Sequence, residues 1–276
     1  MTIQQSHEAR FGAGLDDEHA AAFNPAIGRM LDHRSCRLFE AEPVPDNLLH
    51  AVLSAAFSAP SKSDLQQRSV IRVRNREKLR RISRYSPAIG WISQAPVFLV
   101  WCGDSRRIRR LAEHRGHPFA NDHLDAFMNA AVDTGLAMQA FITAAEAAGL
   151  GCCPVSEVRN RVFDLSRELE LPAHVFPVAG MAVGWPAETS PVSMRLPLAV
   201  TVHEETYDDE DLPAQVAAYD RRRESVDRTP DHAQFMADRF GVSEDYGWSE
   251  RRTRQYAVPA RTDFGRYVRE QGFCLD

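Results

Sequence analysis

The segment from Asp125 to Gly149 constrains the fold of this chain more than any other. Alanine, methionine, phenylalanine, leucine and isoleucine fill most of its positions, and its charged residues are Asp125, Asp133 and Glu146. A helix that is apolar around most of its circumference must be buried in a core or against a partner subunit. The sequence therefore predicts a long central helix, ended by Gly149 and Gly151.

Shorter patterned segments lie on both sides of the central helix. Apolar residues at helical spacing predict helices, and β-branched or continuous apolar runs predict strands. The expected helices are 24–34, 47–58, 78–84 and 159–169, and the expected strands are 69–73, 95–101 and 175–184. Asp46 is expected to cap the helix that follows it. We also expect a short helix around 18–23 and two or three surface helices after Glu188.

Charge and hydropathy exclude several classes of protein. The 276 residues carry a formal net charge of −5, which argues against a non-specific nucleic-acid binder. No run of about 18 apolar residues predicts a membrane span, and residues 1–8 lack the pattern of a signal peptide. We therefore expect a cytoplasmic protein with neither a nucleic-acid nor a membrane partner.

The cysteines and histidines favour neither disulfides nor a metal site. The five cysteines are an odd number, and Cys152 and Cys153 are adjacent, which is poor geometry for a paired framework. No zinc-type spacing occurs, so no metal is expected. The cysteine pair is expected to pack as small apolar side chains.

Other local patterns do not point to a standard nucleotide or hydrolase site. The arginines between 106 and 110 are read as a solvated helix face, with phosphate binding as the less favoured alternative. Dinucleotide-binding, nucleophile-elbow and Walker motifs do not occur in the sequence, which argues against Rossmann, hydrolase and NTPase functions.

Several segments, in order along the chain, resemble the nitroreductase family of FMN enzymes. Residues 33–39 (HRSCRLF) resemble the family's H-R-S-x-R-x-F, and residues 59–66 (APSKSDLQ) its A-P-S-S-x-N-L-Q. Residues 145–151 (AEAAGLG) are similar to A-E-A-L-G-L-G. Residues 183–186 (VGWP) and 194–198 (MRLPL) resemble V-G-x-P and K-P-R-L-P-L. Ala95-Pro96 and Asp133 match as well.

The end of the chain resembles one group within that family. Residues 267–273 (YVREQGF) look like the longer group that includes NADPH-dependent oxygen-insensitive nitroreductases and flavin reductases. The resemblance covers about residues 26–276. It implies an α+β fold in which a mixed β-sheet surrounds a central buried helix, in an intertwined homodimer with FMN at the interface.

The resemblance also implies a division of the chain. Residues 1–25 would be an N-terminal lead-in, and residues 26–200 the FMN-binding domain. Residues 201–276 would be a C-terminal helical extension of the same domain that packs on the dimer.

The resemblance implies a set of cofactor-binding residues. The residues expected around the FMN phosphate and ribityl chain are His33, Arg34, Ser35 and Arg37, where guanidinium groups bind phosphate oxygens bidentately. The residues expected at the ribityl hydroxyls and the isoalloxazine edge are Ser61, Ser63 and Gln66. Arg195 would contact the phosphate of FMN or NADPH.

Three departures from the family pattern leave the specialisation of this chain open. Val155 and Ser156 occupy the segment where family glycines bring backbone N–H groups to flavin N5, and Glu157 follows them. Glu157 either stabilises a helix N-terminus or modulates the flavin. Ser193 replaces a basic residue, and Ile89 stands where a flavin-contacting glutamine is common.

The implied activity is that of an FMN-dependent oxidoreductase. NADPH or NADH would deliver hydride to flavin N5 and leave, and a nitroaromatic, a quinone or free flavin would then take the electrons in a ping-pong cycle. The cofactor carries this chemistry, so no catalytic side chain is expected. Two alternatives stay open: a specialised reaction on the same scaffold, such as dehalogenation, dehydrogenation or a biosynthetic oxidation, and a non-catalytic flavin-binding dimer.

Overall fold

The computed structural model describes residues 2–15 and 22–276 of the chain. The helix expected around 18–23 lies almost entirely outside the described residues. The described chain forms two compact units, each built from two stretches of sequence. The smaller unit contains Met1–His33 and Pro191–Ala260, and the larger contains Arg34–Ser190 and Arg261–Asp276.

The described residues form twelve α-helices and four β-strands, numbered here in chain order. The helices are α1 (Ile3–Phe11), α2 (Pro25–Leu31), α3 (Asp46–Phe57), α4 (Arg76–Ser83), α5 (Arg106–Arg115), α6 (Leu124–Ala147), α7 (Val162–Leu169), α8 (Leu198–Thr201), α9 (Leu212–Val226), α10 (Ala237–Phe240), α11 (Trp248–Tyr256) and α12 (Phe264–Glu270). The strands are β1 (Arg68–Arg72), β2 (Val97–Asp104), β3 (Gly151–Val155) and β4 (Val175–Gly184). Short 3₁₀ turns span Lys62–Asp64, Pro87–Gln94, Ser156–Arg161 and Asp231–Ala233.

The larger unit is built on one sheet with the strand order β1-β2-β4-β3, in which every neighbouring pair is antiparallel. The expectation of a mixed sheet was therefore wrong for these four strands. The parallel pairing in the described residues is an isolated bridge between Ser35 and Cys152. Strand β3 was not predicted, because it is short and contains Pro154. Proline is tolerated there because β3 lies at the edge of the sheet.

Strand β2 is buried on both faces, as its continuous apolar run predicts. On one face, Trp101 packs edge-on against Phe141 of α6, with 5.5 Å between ring centroids. On the other face, Phe98 packs in a second core that includes Ile82 of α4. Helices thus cover both faces of the sheet, and the α+β expectation is confirmed.

The long helix α6 is present as expected and ends before Gly149, whose φ is +85°. It packs on α3 and on the sheet. The chain by itself does not bury the whole circumference of α6, which is consistent with the expected alternative of burial against a partner subunit. One face carries a stripe of exposed apolar side chains at intervals of four residues: Leu124, Met128, Val132 and Leu136.

Asp46 does not cap α3 but begins it, after Pro45. Its carboxylate lies 2.5 Å from the guanidinium of Arg72 and 3.2 Å from that of Arg74. These two arginines lower the pKa of Asp46. The Asp46 carboxylate at the start of α3 therefore pairs with arginines at and just after the end of β1. This contact joins segments that are distant in sequence, so the local pattern does not predict it.

The smaller unit begins with a helix that the sequence analysis did not predict. Thr2 and Gln5 form a reciprocal capping box at its start, and Gly12 ends it in the left-handed conformation. Arg10 is 4 % exposed. Its guanidinium donates to the carbonyl of Ser193 at 2.7 Å, and its own carbonyl accepts from the backbone N–H of Arg195 at 2.6 Å. Helix α1 is thereby bound to the 193–195 segment.

Candidate functional site

A buried carboxylate organises the loop that carries three of the expected cofactor residues. Asp133 of α6 is fully buried. It accepts a hydrogen bond from the Ser61 hydroxyl at 2.7 Å and from the backbone N–H groups of Lys62 and Gln67 at 3.0 and 2.9 Å. A buried ion that receives several donors can hold a loop in one shape. The 61–67 loop is therefore fixed from beneath by the central helix.

The same loop has unusual backbone geometry. Ser63, Asp64 and Gln66 all have φ between 50° and 56°, a left-handed conformation that is uncommon for residues other than glycine. Strain of this kind concentrates at functional sites and persists where the surroundings impose it. The loop presents the exposed side chain of Ser63 to its surroundings.

The structure gives Ser61, Ser63 and Gln66 different roles. The Ser61 hydroxyl donates to Asp133 and accepts from the N–H of Gln66 at 2.6 Å, so it has no proton left for a ligand. The Gln66 side chain donates to Asp64 at 3.1 Å. The Ser63 hydroxyl has no hydrogen-bond partner within the described part of the chain, and the Gln66 amide has a second N–H beyond the one that Asp64 accepts, so both residues have a donor for a ligand.

Two arginines that the sequence analysis did not single out brace this loop. Arg68 is 3 % exposed and donates to the carbonyls of Phe57, Ala59 and Pro60. Arg107 donates to the carbonyl of Gln66 at 2.6 Å. The expectation of a solvated arginine face on α5 agrees with the exposed side chain of Arg107, but it was wrong for Arg109, whose side chain is 12 % exposed and pairs with Asp122 at 2.5 Å. The hydrogen-bond partners of Arg68 and Arg107 could not be predicted from the neighbouring sequence, because these bonds join separate segments of the chain.

The segment that carries Arg34, Ser35 and Arg37 lies along β3. The N–H of Cys36 donates to the carbonyl of Cys152 at 2.9 Å. Arg37 is exposed, and in the residues that the structure describes it has neither a hydrogen-bond nor an ion-pair partner. Ser35 and Arg34 are half-buried. An uncompensated guanidinium at the surface is a suitable ligand for a phosphate.

His33 and Arg195 belong to the smaller unit. The carbonyl of His33 accepts a hydrogen bond from Arg10. Arg195 is exposed, and among the described residues its guanidinium reaches the backbone carbonyls of Ser193 and Met194, at 3.3 and 3.5 Å.

The end of β3 places its residues in different surroundings. The Val155 side chain is 4 % exposed and packs in the core, so only its backbone could approach a ligand. Ser156 is exposed. Glu157, in the first turn of the 3₁₀ segment, accepts a hydrogen bond from the hydroxyl of Ser86. Ile89 is 3 % exposed in the same core.

All five cysteines are free thiols, and four of them are buried; Cys274 is partly exposed. Cys36, Cys152 and Cys153 are each at most 5 % exposed. Burial raises the pKa of all three thiols, which disfavours the reactive thiolate.

Among the described residues, no group of three or more His, Cys, Asp or Glu side chains is arranged to hold a metal ion. No helix in that part of the chain has both the length and the apolar character needed to cross a membrane.

Sequence comparison assigns the chain to a family. Residues 30–95 and 87–185 match the nitroreductase family, and residues 193–276 match the nitroreductase family C-terminal domain. The chain belongs to the nitroreductase family. The resemblance carried by the motifs is thus confirmed, and the match of the family proper begins after α1.

Individual nitroreductase relatives match over nearly their whole length. The FMN reductase [NAD(P)H] of Bacillus subtilis is 34 % identical over 257 residues, which cover 92 % of this chain and 99 % of that protein. The oxygen-insensitive NADPH nitroreductase of Salmonella typhimurium is 31 % identical and covers 91 % of this chain and 99 % of its own length.

Solved nitroreductase structures share the fold. NfrA2 of B. megaterium superposes with a TM-score of 0.82 at 32 % identity, covering 92 % of this chain and all of that one. The NADPH:FMN oxidoreductase of Vibrio harveyi, solved with NAD⁺, gives a TM-score of 0.78 at 28 % identity, covering 90 % of this chain and 98 % of its own.

Proposed function

We propose that this chain is an FMN-dependent oxidoreductase that takes reducing equivalents from NAD(P)H and passes them to a small acceptor. The observation that carries the proposal is the 34 % identity to an FMN reductase [NAD(P)H] across nearly the whole of both chains. The other relatives named above include NADPH-dependent nitroreductase and flavin oxidoreductase activities. Nitroaromatics, quinones and free flavin are the acceptors we expect.

The polar groups of the chain fit FMN. Arg37 offers an exposed cation that has neither a hydrogen-bond nor an ion-pair partner among the described residues, which suits a phosphate. The 61–67 loop offers the Ser63 hydroxyl and a backbone fixed by Asp133. We propose that His33, Arg34, Ser35, Arg37 and Arg195 hold the phosphate and ribityl chain.

The remaining residues would hold the ring of the cofactor. We propose this role for Ser63, for the side-chain amide of Gln66, and for the backbones of Ser61, Val155 and Ser156. When bound, FMN supplies hydride transfer at N5. The protein positions the ring, and Asp133 keeps the loop from relaxing when substrates exchange.

We further propose that the protein is a cytoplasmic homodimer. The exposed stripe of α6 supports a second copy as the partner, because contiguous apolar side chains at a four-residue spacing favour helix burial. Its members are at least 43 % exposed in the isolated chain. Residues 201–276 would extend the 26–200 domain and pack on the dimer, and 1–25 would precede it.

The test is a visible spectrum followed by an acceptor panel. Purified protein incubated with FMN and desalted is expected to keep the flavin absorbance near 450 nm and to oxidise NADPH or NADH with a nitroaromatic, a quinone or free FMN. Protein that never retains flavin would refute the proposal. Retained flavin with negligible nicotinamide oxidation would instead favour a specialised redox reaction on the scaffold.

A further inference from the structure

A pair of charged residues outside the motifs connects the end of β2 with the 61–67 loop. Asp104 is the last residue of β2 and is 8 % exposed. Its carboxylate accepts hydrogen bonds from the Ser69 hydroxyl at 2.6 Å and from the Arg107 guanidinium at 3.0 Å. The backbone N–H of Arg107 also donates to this carboxylate, at 3.2 Å. Asp104 therefore holds Arg107 at both its backbone and its side chain.

Arg107 carries this constraint to Gln66. Its guanidinium donates to the Gln66 carbonyl at 2.6 Å, and the backbone N–H of Arg68 donates to the same carbonyl at 2.8 Å. The N–H of Gln66 donates to the Ser61 hydroxyl at 2.6 Å. Both backbone polar groups of Gln66 are therefore engaged, and the charged donor, which is the stronger kind, comes from α5.

The backbone of Gln66 needs such support. Its φ is 51°, a conformation that costs free energy in any residue with a side chain and persists where the surroundings impose it. The direction of the side chain depends on this backbone. With the present φ the amide donates one N–H to Asp64 at 3.1 Å and keeps its second N–H for a ligand. A relaxed φ would turn that donor away.

We propose that Asp104 and Arg107 are positioning residues for the flavin ring and that they act through Gln66. This inference rests on the proposed function, in which the Gln66 amide holds the isoalloxazine ring. Asp104 orients Arg107, Arg107 fixes the Gln66 carbonyl, and the fixed backbone aims the side-chain amide. The pair thus contributes to binding of the ring and not to binding of the phosphate.

Fluorescence titration of the full-length protein with FMN and with riboflavin, which lacks the phosphate, measures the contribution to the ring. Arg107→Gln is expected to weaken both flavins by the same factor, about 10-fold. Arg107→Lys keeps a cation and should recover part of the loss. Arg110→Gln removes an exposed charge from the same helix, and it should leave both affinities within about 2-fold. A loss confined to FMN would overturn the proposal.

A double-mutant cycle tests whether the pair acts through Gln66. Gln66→Gly removes the amide and tolerates the positive φ. On that background Arg107→Gln should change riboflavin affinity by less than about 2-fold, because the group that it positions is gone. Asp104→Asn should weaken riboflavin in the wild-type background and, likewise, not in the glycine background. The same loss on both backgrounds would show that the pair does not act through Gln66.

Hydrogen exchange of the flavin-free protein separates this inference from the proposed function. In Arg107→Gln we expect the amides of residues 61–68 to exchange about 10-fold faster while those of α6 keep their wild-type rates, which excludes global unfolding. Arg110→Gln should show neither change. Unchanged exchange in the loop would overturn the positioning role even in a protein that binds FMN. Faster exchange specific to Arg107→Gln in a protein that never binds flavin would refute the proposed function and leave the positioning of the loop standing.

Discussion

The Ser61 hydroxyl donates a 2.7 Å hydrogen bond to Asp133, a residue 72 positions away in the chain. The bond joins the loop that resembles a flavin-binding segment to the middle of the central helix. Since Asp133 also receives two backbone N–H groups, the carboxylate fixes the shape of the loop as well as one side chain. Asp133 is therefore a positioning residue for the candidate site.

Asp133→Asn should weaken both the fold and FMN retention. The asparagine amide group has one acceptor oxygen, so its NH₂ would face donors that now reach a carboxylate, at a cost of roughly 2 kcal/mol in unfolding free energy. Urea unfolding and flavin absorbance after desalting measure the two effects. Asp125→Asn is the control, since Asp125 is exposed at the start of the same helix. Equal effects of the two variants would contradict the assigned role.

Arg37→Gln should lower the affinity for FMN about 10-fold and leave the affinity for riboflavin, which has no phosphate, nearly unchanged. The physical reason is the loss of an exposed guanidinium that has no ion-pair partner in residues 2–15 and 22–276. Fluorescence quenching of the two flavins gives both constants. Arg80→Gln on α4, also exposed, is the control for net charge. A parallel loss of riboflavin binding would show that Arg37 acts on something other than the phosphate.

Glu157→Gly should raise the rate of NAD(P)H oxidation, because glycine allows the backbone to approach the flavin more closely. Glu157→Ala removes the same carboxylate without that freedom, and it also breaks the bond from Ser86. We expect the alanine variant to stay near the wild-type rate. Steady-state rates at equal FMN occupancy separate the two. Equal rates in the glycine variant and the wild type would show that the 156–157 backbone does not limit the reaction.

Val132→Glu should convert the proposed dimer into monomers. It places a charge in the middle of the apolar stripe on α6, which a second copy would have to desolvate. Sedimentation velocity measures the mass. Leu111→Glu is the matched control, because Leu111 is an exposed apolar residue on α5 and not on the stripe. A wild-type chain that sediments as a monomer would refute the dimer proposal directly.

His174 should make stability depend on pH. Burial lowers its pKa, Arg109 and Arg106 act in the same direction, and Asp122 opposes them. Because the unfolded chain then binds the proton more readily, this contribution is complete above the unfolded pKa of about 6.5 and is lost as the pH falls through the lowered folded value. His174→Asn, which tolerates the φ of 64°, should flatten the decline in unfolding free energy below pH 6.5. His114→Asn on the exposed face of α5 should leave that slope unchanged.

Hydrophobic periodicity predicted those helices and strands whose own residues show a clear apolar pattern. Strand β4 begins and ends at the predicted residues, Val175 and Gly184. The observed ends of α6 differ from the predicted ones by one residue at the start and two at the end. It missed β3, whose five residues include an exposed proline. It also missed α1, whose signal is a capping box rather than an apolar stripe.

The candidate site was predictable as a set of segments but not as an arrangement. The motifs identified the 33–39 and 59–66 segments, and comparison confirmed the family they indicate. The motifs could not show that the Ser61 hydroxyl donates its hydrogen bond to Asp133, or that the Val155 side chain packs in the core. They also gave no sign that Glu157 is engaged by Ser86. Side-chain direction and partner choice depend on contacts between residues far apart in sequence.

The sequence by itself determined the apolar central helix, the doubly buried strand β2 and the family of the chain, because periodicity and short motifs are local properties. The tertiary structure alone decided which face of α6 stays exposed, which donors Asp133 receives, and that Arg10 of α1 holds the segment bearing Arg195. Burial and hydrogen-bond satisfaction are set by where distant segments meet. A single buried carboxylate or guanidinium has a partner only once the whole unit has folded around it.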